Sequence, residues 1–373
     1  MQKVVVTGAK GFIGHHLMEI LNRQLDVEVR GFDVGDSSEI LAEALIEADV
    51  VFHLAGINRP KQIEEYEEGN YLFTKELCSI LEKAGRSPLI IFSSSVQAEL
   101  NNPYGRSKLK AEEILKNWSK CTGAGVVIFR LKGVFGKWCR PDYNSVVATF
   151  CHNIARGLPI SISDSTKKIE LIYIDDVVFA FCNCLKSPSC GFEQKDVSPS
   201  FVITLGDLAQ HIEVFKNSSH SLLLPDFSDP FLKRLYATYM SYFEENDFAY
   251  SLVVHKDIRG ELAEFLKQVN FGQIFVSKTK PGITRGNHFH HTKIEKFLVI
   301  KGDAIIRFRR INETEIIEYQ INGKDFKVVD IPPGYVHSIE NVGSDDLITL
   351  FWANEIFDSK VSDTYSLNVI ETG

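Results

Sequence analysis

No run of about 18 consecutive apolar residues occurs in the 373-residue chain, so a membrane-crossing helix is not expected. Lysine and arginine never gather into runs and the net charge is −8, which leaves no electrostatic footprint for nucleic acid or an anionic membrane. Small molecules are the better candidate partners. No CxxC pair occurs among the seven cysteines, and none follows Cys190. Buried reduced thiols are expected, in place of a disulfide framework or a cysteine zinc site. Low-complexity segments and internal repeats are absent. The opening Met1-Gln2-Lys3-Val4-Val5-Val6-Thr7-Gly8 runs straight into a strand and a glycine turn, leaving no room for a signal peptide, so a cytoplasmic location is expected.

What is present is a soluble globular balance, with 44% hydrophobic and 24% charged residues, and a length that suits two domains. Residues 1–190 alternate short apolar runs with longer amphipathic stretches, the βαβ rhythm of a parallel sheet covered by helices. Strands are expected at 3–7, 27–32, 50–54, 89–93 and 126–130. Segment 226–250, with Pro225 and Pro230 and the aromatics Phe231, Tyr236, Tyr239, Tyr242 and Phe243, reads as one or two helices joining the domains. From about Leu252 the pattern becomes strands broken by Gly, Asn and Pro turns, as in an all-β barrel or jelly roll. The expectation is therefore an α/β doubly wound domain over residues 1–245 followed by an all-β domain over 246–373.

Gly8-Ala9-Lys10-Gly11-Phe12-Ile13-Gly14 has the spacing GxxGxxG between a strand and a helix. Glycines there let the backbone turn tightly and approach a pyrophosphate, whose charge faces the helix N-terminus. Asp33 lies 19 residues beyond Gly14, where an acid accepts the ribose hydroxyls of NAD, whereas Lys10 and Arg30 could hold the 2′-phosphate of NADP. Both cofactors stay open on these residues. Tyr104-Gly105-Arg106-Ser107-Lys108 sets a phenol and an ammonium on one helix face, one turn apart. A lysine beside a tyrosine is expected to lower the phenol's pKa toward the range of a working acid. Ser93-Ser94-Ser95, after an apolar strand, can orient the same carbonyl.

These residues resemble the extended short-chain dehydrogenase/reductase family, whose pattern combines TGxxGxxG, a Ser/Thr after the fourth strand, and YxxxK. The resemblance extends to His53-Leu54-Ala55-Gly56, Asn70 and Tyr173-Ile174-Asp175-Asp176-Val177, and so covers about residues 1–245. It implies a Rossmann-type domain acting on a nucleotide sugar. Ser95, with Ser94 second, becomes the catalytic hydroxyl beside Tyr104 and Lys108. Gly8, Lys10, Gly11, Phe12, Ile13, Gly14, Asp33, Leu54 and Ala55 become cofactor contacts, joined by Tyr104 and Lys108. Asn70, Ser94, Arg130, Lys137 and Asn144 become substrate contacts. Two departures stand out: the spacing from Ser95 to Tyr104 is short for the family, and Gly133 stands where relatives often carry a substrate-binding Asn. Val96-Gln97 after Ser95 cannot supply the acid and base of a 4,6-dehydratase, whereas a reductase needs only Ser, Tyr and Lys.

The later half is rich in histidine. His288 and His290 are two apart and so share one side of a strand, His291 faces the other way, Glu295 returns on a facing strand, and His337 lies across the domain. Three imidazoles and a carboxylate converging inside a barrel can hold a divalent metal, with zinc suited to the nitrogen-rich set. The run Gly282-x5-His288-x-His290-x4-Glu295-x6-Gly302, then Pro332-x-Gly334-x2-His337-x3-Asn341, is similar to the cupin family; Phe326 replaces one expected glycine. The run from Asp257 to Phe265 with Arg285-Gly286-Asn287-His288 is also similar to the dTDP-sugar 3,5-epimerases, in which the histidine after RGx removes a proton next to a ketone. His288 is thus ligand or base.

Both halves suit one substrate, a nucleotide-linked 4-ketohexose. At full length the chain resembles the CapF family of capsular polysaccharide enzymes, in Asn102-Pro103-Tyr104-Gly105, Phe135-Gly136-Lys137-Trp138-Cys139, Tyr143-Asn144-Ser145-Val146 and residues 281–291. That resemblance implies NADPH, zinc, a homodimer, and C3 epimerisation followed by C4 reduction of UDP-2-acetamido-2,6-dideoxy-hex-4-ulose, toward UDP-N-acetyl-L-fucosamine. The alternative is a single-activity reductase whose cupin half serves binding and dimerisation.

Overall fold

The structure is a computed structural model that describes residues 1–186 and 190–370. The chain forms two compact units, Met1–Glu213 with Arg234–Phe243, and Val214–Lys233 with Glu244–Gly373.

In the first unit, β1 (Gln2–Thr7), β2 (Val27–Phe32), β3 (Val50–His53), β4 (Leu89–Ser95), β5 (Val126–Leu131), β6 (Gly133–Phe135), β7 (Lys168–Tyr173), β8 (Phe192–Lys195) and β9 (Ser200–Thr204) alternate with helices. Six of these strands make one parallel sheet in the order β2-β1-β3-β4-β5-β8, and β6-β7-β9 form a small second sheet. Alternate residues of the central strands enter separate cores on the two faces: Val4, Val6, Phe52 and Ile91 on one, Val5, Val51, Ile90 and Phe92 on the other. Burial on both faces explains why these runs are apolar throughout. Strand order reverses at β1, between β2 and β3, and the crevice outside the carboxyl ends there is where this architecture receives ligands.

The helix Pro103–Thr122 carries the tyrosine and lysine. Asn102 caps it by accepting from Gly105 N at 2.7 Å, Pro103 opens it, and Gly123 closes it at φ 72°.

The second unit contains β10 (Val254–Asp257), β11 (Gly260–Gln268), β12 (Gly272–Thr279), β13 (Thr284–Phe289), β14 (Glu295–Lys301), β15 (Asp303–Arg310), β16 (Ile316–Asn322), β17 (Val328–Ile331), β18 (Tyr335–Asn341), β19 (Leu347–Ala353) and β20 (Tyr365–Ser366). They build two antiparallel sheets, β10-β11-β12-β19-β14-β17 and β16-β15-β18-β13-β20. Phe297, Val299 and Phe351 from one sheet pack with Ile306, Phe308 and Ile339 from the other. This is the expected all-β half.

Between residues 214 and 243 the two units interleave in sequence. Leu224 N donates to Lys267 O at 2.8 Å and Lys267 N to Leu222 O at 2.7 Å, which ties that segment to β11. Arg234 instead pairs with Asp176 at 3.0 Å and Tyr242 Oη donates to Cys139 O at 2.6 Å, so 234–243 belong to the first unit. The joining segment is one helix, Pro230–Met240, followed by a short 3-10 turn. Five of the seven cysteines are buried; Cys121 and Cys190 are exposed, contrary to the expectation that all would be covered.

Candidate active sites

The glycine turn after β1 has no room for a side chain at Gly8 or Gly14. A Cβ on Gly14 would lie 2.1 Å from Gly8 O, and one on Gly8, at φ 71°, would lie 2.7 Å from Ala55 N. Gly11 opens the helix Phe12–Leu21 without a side-chain cap, so backbone N–H groups remain for an anion. Thr7 Oγ1 accepts from Ala55 N at 3.2 Å and bonds His53 Nδ1 at 2.9 Å, which fixes Leu54 and Ala55 beside the turn. This cradle fits a dinucleotide. Asp33 Oδ2 accepts from Lys10 N at 2.8 Å and Oδ1 from Val34 N at 2.8 Å, so the acid at the end of β2 also closes the loop. Lys10 Nζ stands 3.9 Å from Asp36, and Arg30 turns toward Glu28 and Glu47.

Ser95 ends β4, accepts from Gln97 N at 3.2 Å, and lies close enough to the Tyr104 phenol to act on its ionisation. Lys108 is buried with Nζ 4.2 Å from the Phe92 ring centre. Serine and tyrosine are therefore brought together, and Lys108 follows Tyr104 by one turn of the same helix. Their electrostatics are not as expected. Burial pushes the Tyr104 phenol up, with Ser95 opposing, and Lys108 is not among the groups acting on it. Burial also pushes Lys108 down to about 7, so its ammonium is itself disfavoured and is a weak source of positive potential.

The proposed substrate contacts divide. Ser94 Oγ donates to Glu112 Oε1 at 2.5 Å, and Arg130 grips the same carboxylate through Nε at 3.0 Å and a terminal nitrogen at 2.7 Å. Asn70 is buried and braces the turn after β3, its Oδ1 accepting from Ile57 N at 2.9 Å and its Nδ2 donating to Ser107 Oγ at 2.9 Å. Lys137 pairs with Asp175 at 3.0 Å, while Asn144 is exposed. Sequence reasoning missed Glu112, although its place four residues after Lys108 was a readable signal. It also missed Tyr66, whose ring meets that of Tyr104 at 5.6 Å.

In the second unit His288, His290, Glu295 and His337 offer ligand atoms that all lie within 4.8 Å of one another. A register shift between Gly286 and His288, with Gly286 at φ 92° and Asn287 at φ 59°, turns His288 toward His337, their rings 4.5 Å apart. His290 lies just past the end of β13, and its Nδ1 bonds Asp363 O, which leaves Nε2 facing the cluster. Nε2 of His290 and of His337 are buried without a hydrogen-bond partner, each 3.4 Å from Glu295 Oε2. Orphaned imidazole nitrogens converging on a carboxylate fit a divalent cation. His291 is exposed and packs beside Tyr365, as its alternation implied.

Burial opposes ionisation of Glu295, yet His290, His337 and the Lys293 ammonium, 3.0 Å away, hold its carboxyl well below the usual range. Burial, aided by His337, pushes His288 down to about 4. Lys293 and Asp363 had no signal in the spacing. Asp363 accepts from the backbone N–H groups of His291, Thr292 and Lys293 and so holds the ligand loop from a distant segment.

Residues 4–198 match the NAD dependent epimerase/dehydratase family and residues 255–365 the polysaccharide biosynthesis C-terminal domain. The chain is 43% identical, over 99% of both chains, to a UDP-2-acetamido-2,6-beta-L-arabino-hexul-4-ose reductase of Pseudomonas aeruginosa. The crystal structure of the capsular polysaccharide assembling protein CapF from Staphylococcus aureus aligns with a TM-score of 0.91 and 43% identity, over 99% of this chain and 100% of that one. UDP-glucuronic acid 4-epimerase from Bacillus cereus, 23% identical over 58% of this chain and 85% of its own, shares the fold with a TM-score of 0.51. No described helix is long and apolar enough to cross a membrane. With both domain types matched and the full length aligned, the chain belongs to the CapF family of the NAD dependent epimerases/dehydratases.

Proposed function

We propose that the protein inverts C3 of UDP-2-acetamido-2,6-dideoxy-hex-4-ulose in its second unit and reduces C4 with NADPH in its first, toward UDP-N-acetyl-L-fucosamine. Ser95 against Tyr104, with Lys108 one helical turn on, and a turn that admits no Cβ at Gly8 or Gly14 carry the reductase reading, and the similarity to the Pseudomonas aeruginosa reductase supports it. A nicotinamide dinucleotide, when bound, supplies the hydride. Ser95 donates to the C4 carbonyl oxygen and orients it. Tyr104 gives its phenolic proton to that oxygen as negative charge develops, and a phenol held protonated by burial is suited to that task. Lys108 binds the nicotinamide ribose and returns a proton toward Tyr104.

His288, His290, Glu295 and His337 would hold zinc or another divalent cation. Such a cation, when bound, polarises a carbonyl oxygen and makes the neighbouring carbon acidic. The ketone at C4 acidifies C3, and reduction removes that acidity, so inversion comes first and reduction traps its product. A second reading makes the later half a binding and dimerisation module. The Lys293–Glu295 pair favours it, because it neutralises the buried carboxylate without a metal.

The test incubates the full chain with the UDP-4-ketosugar in deuterated water, with NADPH and NADH in parallel, after metal analysis. Inverted product carrying deuterium at C3, formed with NADPH consumption, is the expected result. Reduction without label in a metal-free protein supports the second reading. No nicotinamide oxidation with any candidate ketosugar defeats both.

A further inference from the structure

Glu112 belongs to no motif that the proposed reaction uses, yet it is the most heavily bonded carboxylate near the tyrosine and lysine. It is 5% exposed and receives three side-chain donors from two strands: Ser94 Oγ of β4 at 2.5 Å, and Arg130 of β5 through Nε at 3.0 Å and a terminal nitrogen at 2.7 Å. Arg130 has a second anchor, Glu99 at 2.8 Å, on the exposed side. Tyr104, Lys108 and Glu112 follow one another at intervals of four and so form a single stripe along the helix Pro103–Thr122.

Lys108 is 4% exposed. The groups facing it are Glu112 on its own helix, paired with the Arg130 guanidinium, His53 at the end of β3, the Phe92 ring on β4, and Asn70 beyond Gly56. His53 offers no compensating charge, since burial and Lys108 push it down to about 3 and leave it neutral. Glu112 is the carboxylate that acts on Lys108, and it favours the ammonium against burial.

Resting on the reductase reading, we propose that Glu112 is a positioning residue: clamped by Ser94 and Arg130 one helical turn beyond Lys108, its carboxylate keeps that buried amine over Phe92 and one turn from Tyr104. Ser94 and Arg130 then act through the helix and not through substrate, because their polar atoms are already committed to Glu112 and, for one terminal nitrogen of Arg130, to Glu99.

Glu112→Gln keeps the shape and removes the charge. In the full chain with NADPH and the UDP-4-ketosugar, the alkaline limb of kcat should move down by about one pH unit, with kcat near pH 8 falling about tenfold and KM within about threefold of wild type. Glu112→Asp should restore most of the limb. A readout independent of substrate is the Lys108 side-chain titration by NMR, which should move the same way, and by less in Glu112→Asp. If Glu112→Gln does not fold, a Lys108 titration in Glu112→Asp identical to wild type overturns the proposal. An unmoved Lys108 titration and pH profile, with only a lowered Tm, also overturns it and leaves Glu112 a brace. If wild type proves inert toward NADPH while the Lys108 titration moves as stated, the reductase reading fails and the Glu112–Lys108 coupling stands.

Discussion

The two units solve opposite electrostatic problems. In the first, Lys108 is buried with one carboxylate, Glu112, a helical turn away, and burial is strong enough to push it down to about 7. In the second, a carboxylate, Glu295, is buried among three imidazoles and Lys293, and the surrounding groups win, holding it well below its usual range. The first arrangement leaves its polar groups poised to move a proton. The second leaves imidazole nitrogens orphaned around a fixed negative charge, which suits a cation. The difference teaches that burial alone does not set the state of a site; the number and sign of its neighbours do.

The sharpest way to break this comparison is to disable one unit at a time. Tyr104→Phe removes the proton donor and keeps the ring against Tyr66, so ketosugar-dependent NADPH oxidation should fall about 10²–10⁴-fold. Deuterium exchange at C3 should persist in the same variant. His337→Ala should do the reverse: bound metal falls below one equivalent and C3 exchange is lost, while a ketosugar already inverted at C3 is still reduced. Loss of both activities in either variant, with the protein folded by circular dichroism, would sink the division of labour.

A smaller effect is expected from Gly14→Ala. Its Cβ would meet Gly8 O at 2.1 Å, a backbone atom that cannot yield, so the turn must open. A destabilisation of about 1–3 kcal/mol is expected, with NADPH affinity by fluorescence titration down about tenfold or more. C3 exchange should be unchanged, since the turn belongs to the first unit. Undiminished NADPH binding would remove the glycine turn from the cofactor site.

How legible each site was follows from the same contrast. Tyr104 and Lys108 lie within one helix and Gly8 to Gly14 along one short strand-to-helix turn, where spacing specifies direction, so each group could be read from residues alone. Among the three serines Ser95 was singled out only by the family resemblance, and the strand expected to end at 93 runs on to Ser95. Spacing could not report what the neighbours do to ionisation. The expected lowering of the Tyr104 phenol failed because burial dominates there and the lysine meant to drive it is itself disfavoured. In the second unit His288, His290, Glu295 and His337 were legible because two strand motifs carry them. Asp363, which holds their loop, comes from a segment with no periodic tie to it. Segments 214–233 and 234–243 parted company for a similar reason, because hydrogen bonds to Lys267 and an ion pair to Asp176 decide their unit.

The smallest effect tests the cost of the buried cation directly. The unfolded chain keeps Lys108 protonated up to about 10.5, whereas the folded protein releases that proton at about 7. Between those values the unfolded state binds more protons, so this group makes stability rise with pH across that window, and below about 7 its full cost is present. Lys108→Met removes the charge and keeps an apolar stem over Phe92. Reductase activity should vanish, yet denaturation midpoints at pH 6 should rise, by on the order of 2 kcal/mol, with the gain shrinking toward pH 10. Glu295→Gln in the other unit should instead destabilise near neutral pH, because it removes the charge that its neighbours hold in place. If Lys108→Met is less stable than wild type at pH 6, the ammonium is a net stabiliser, and the two buried charges are alike in kind.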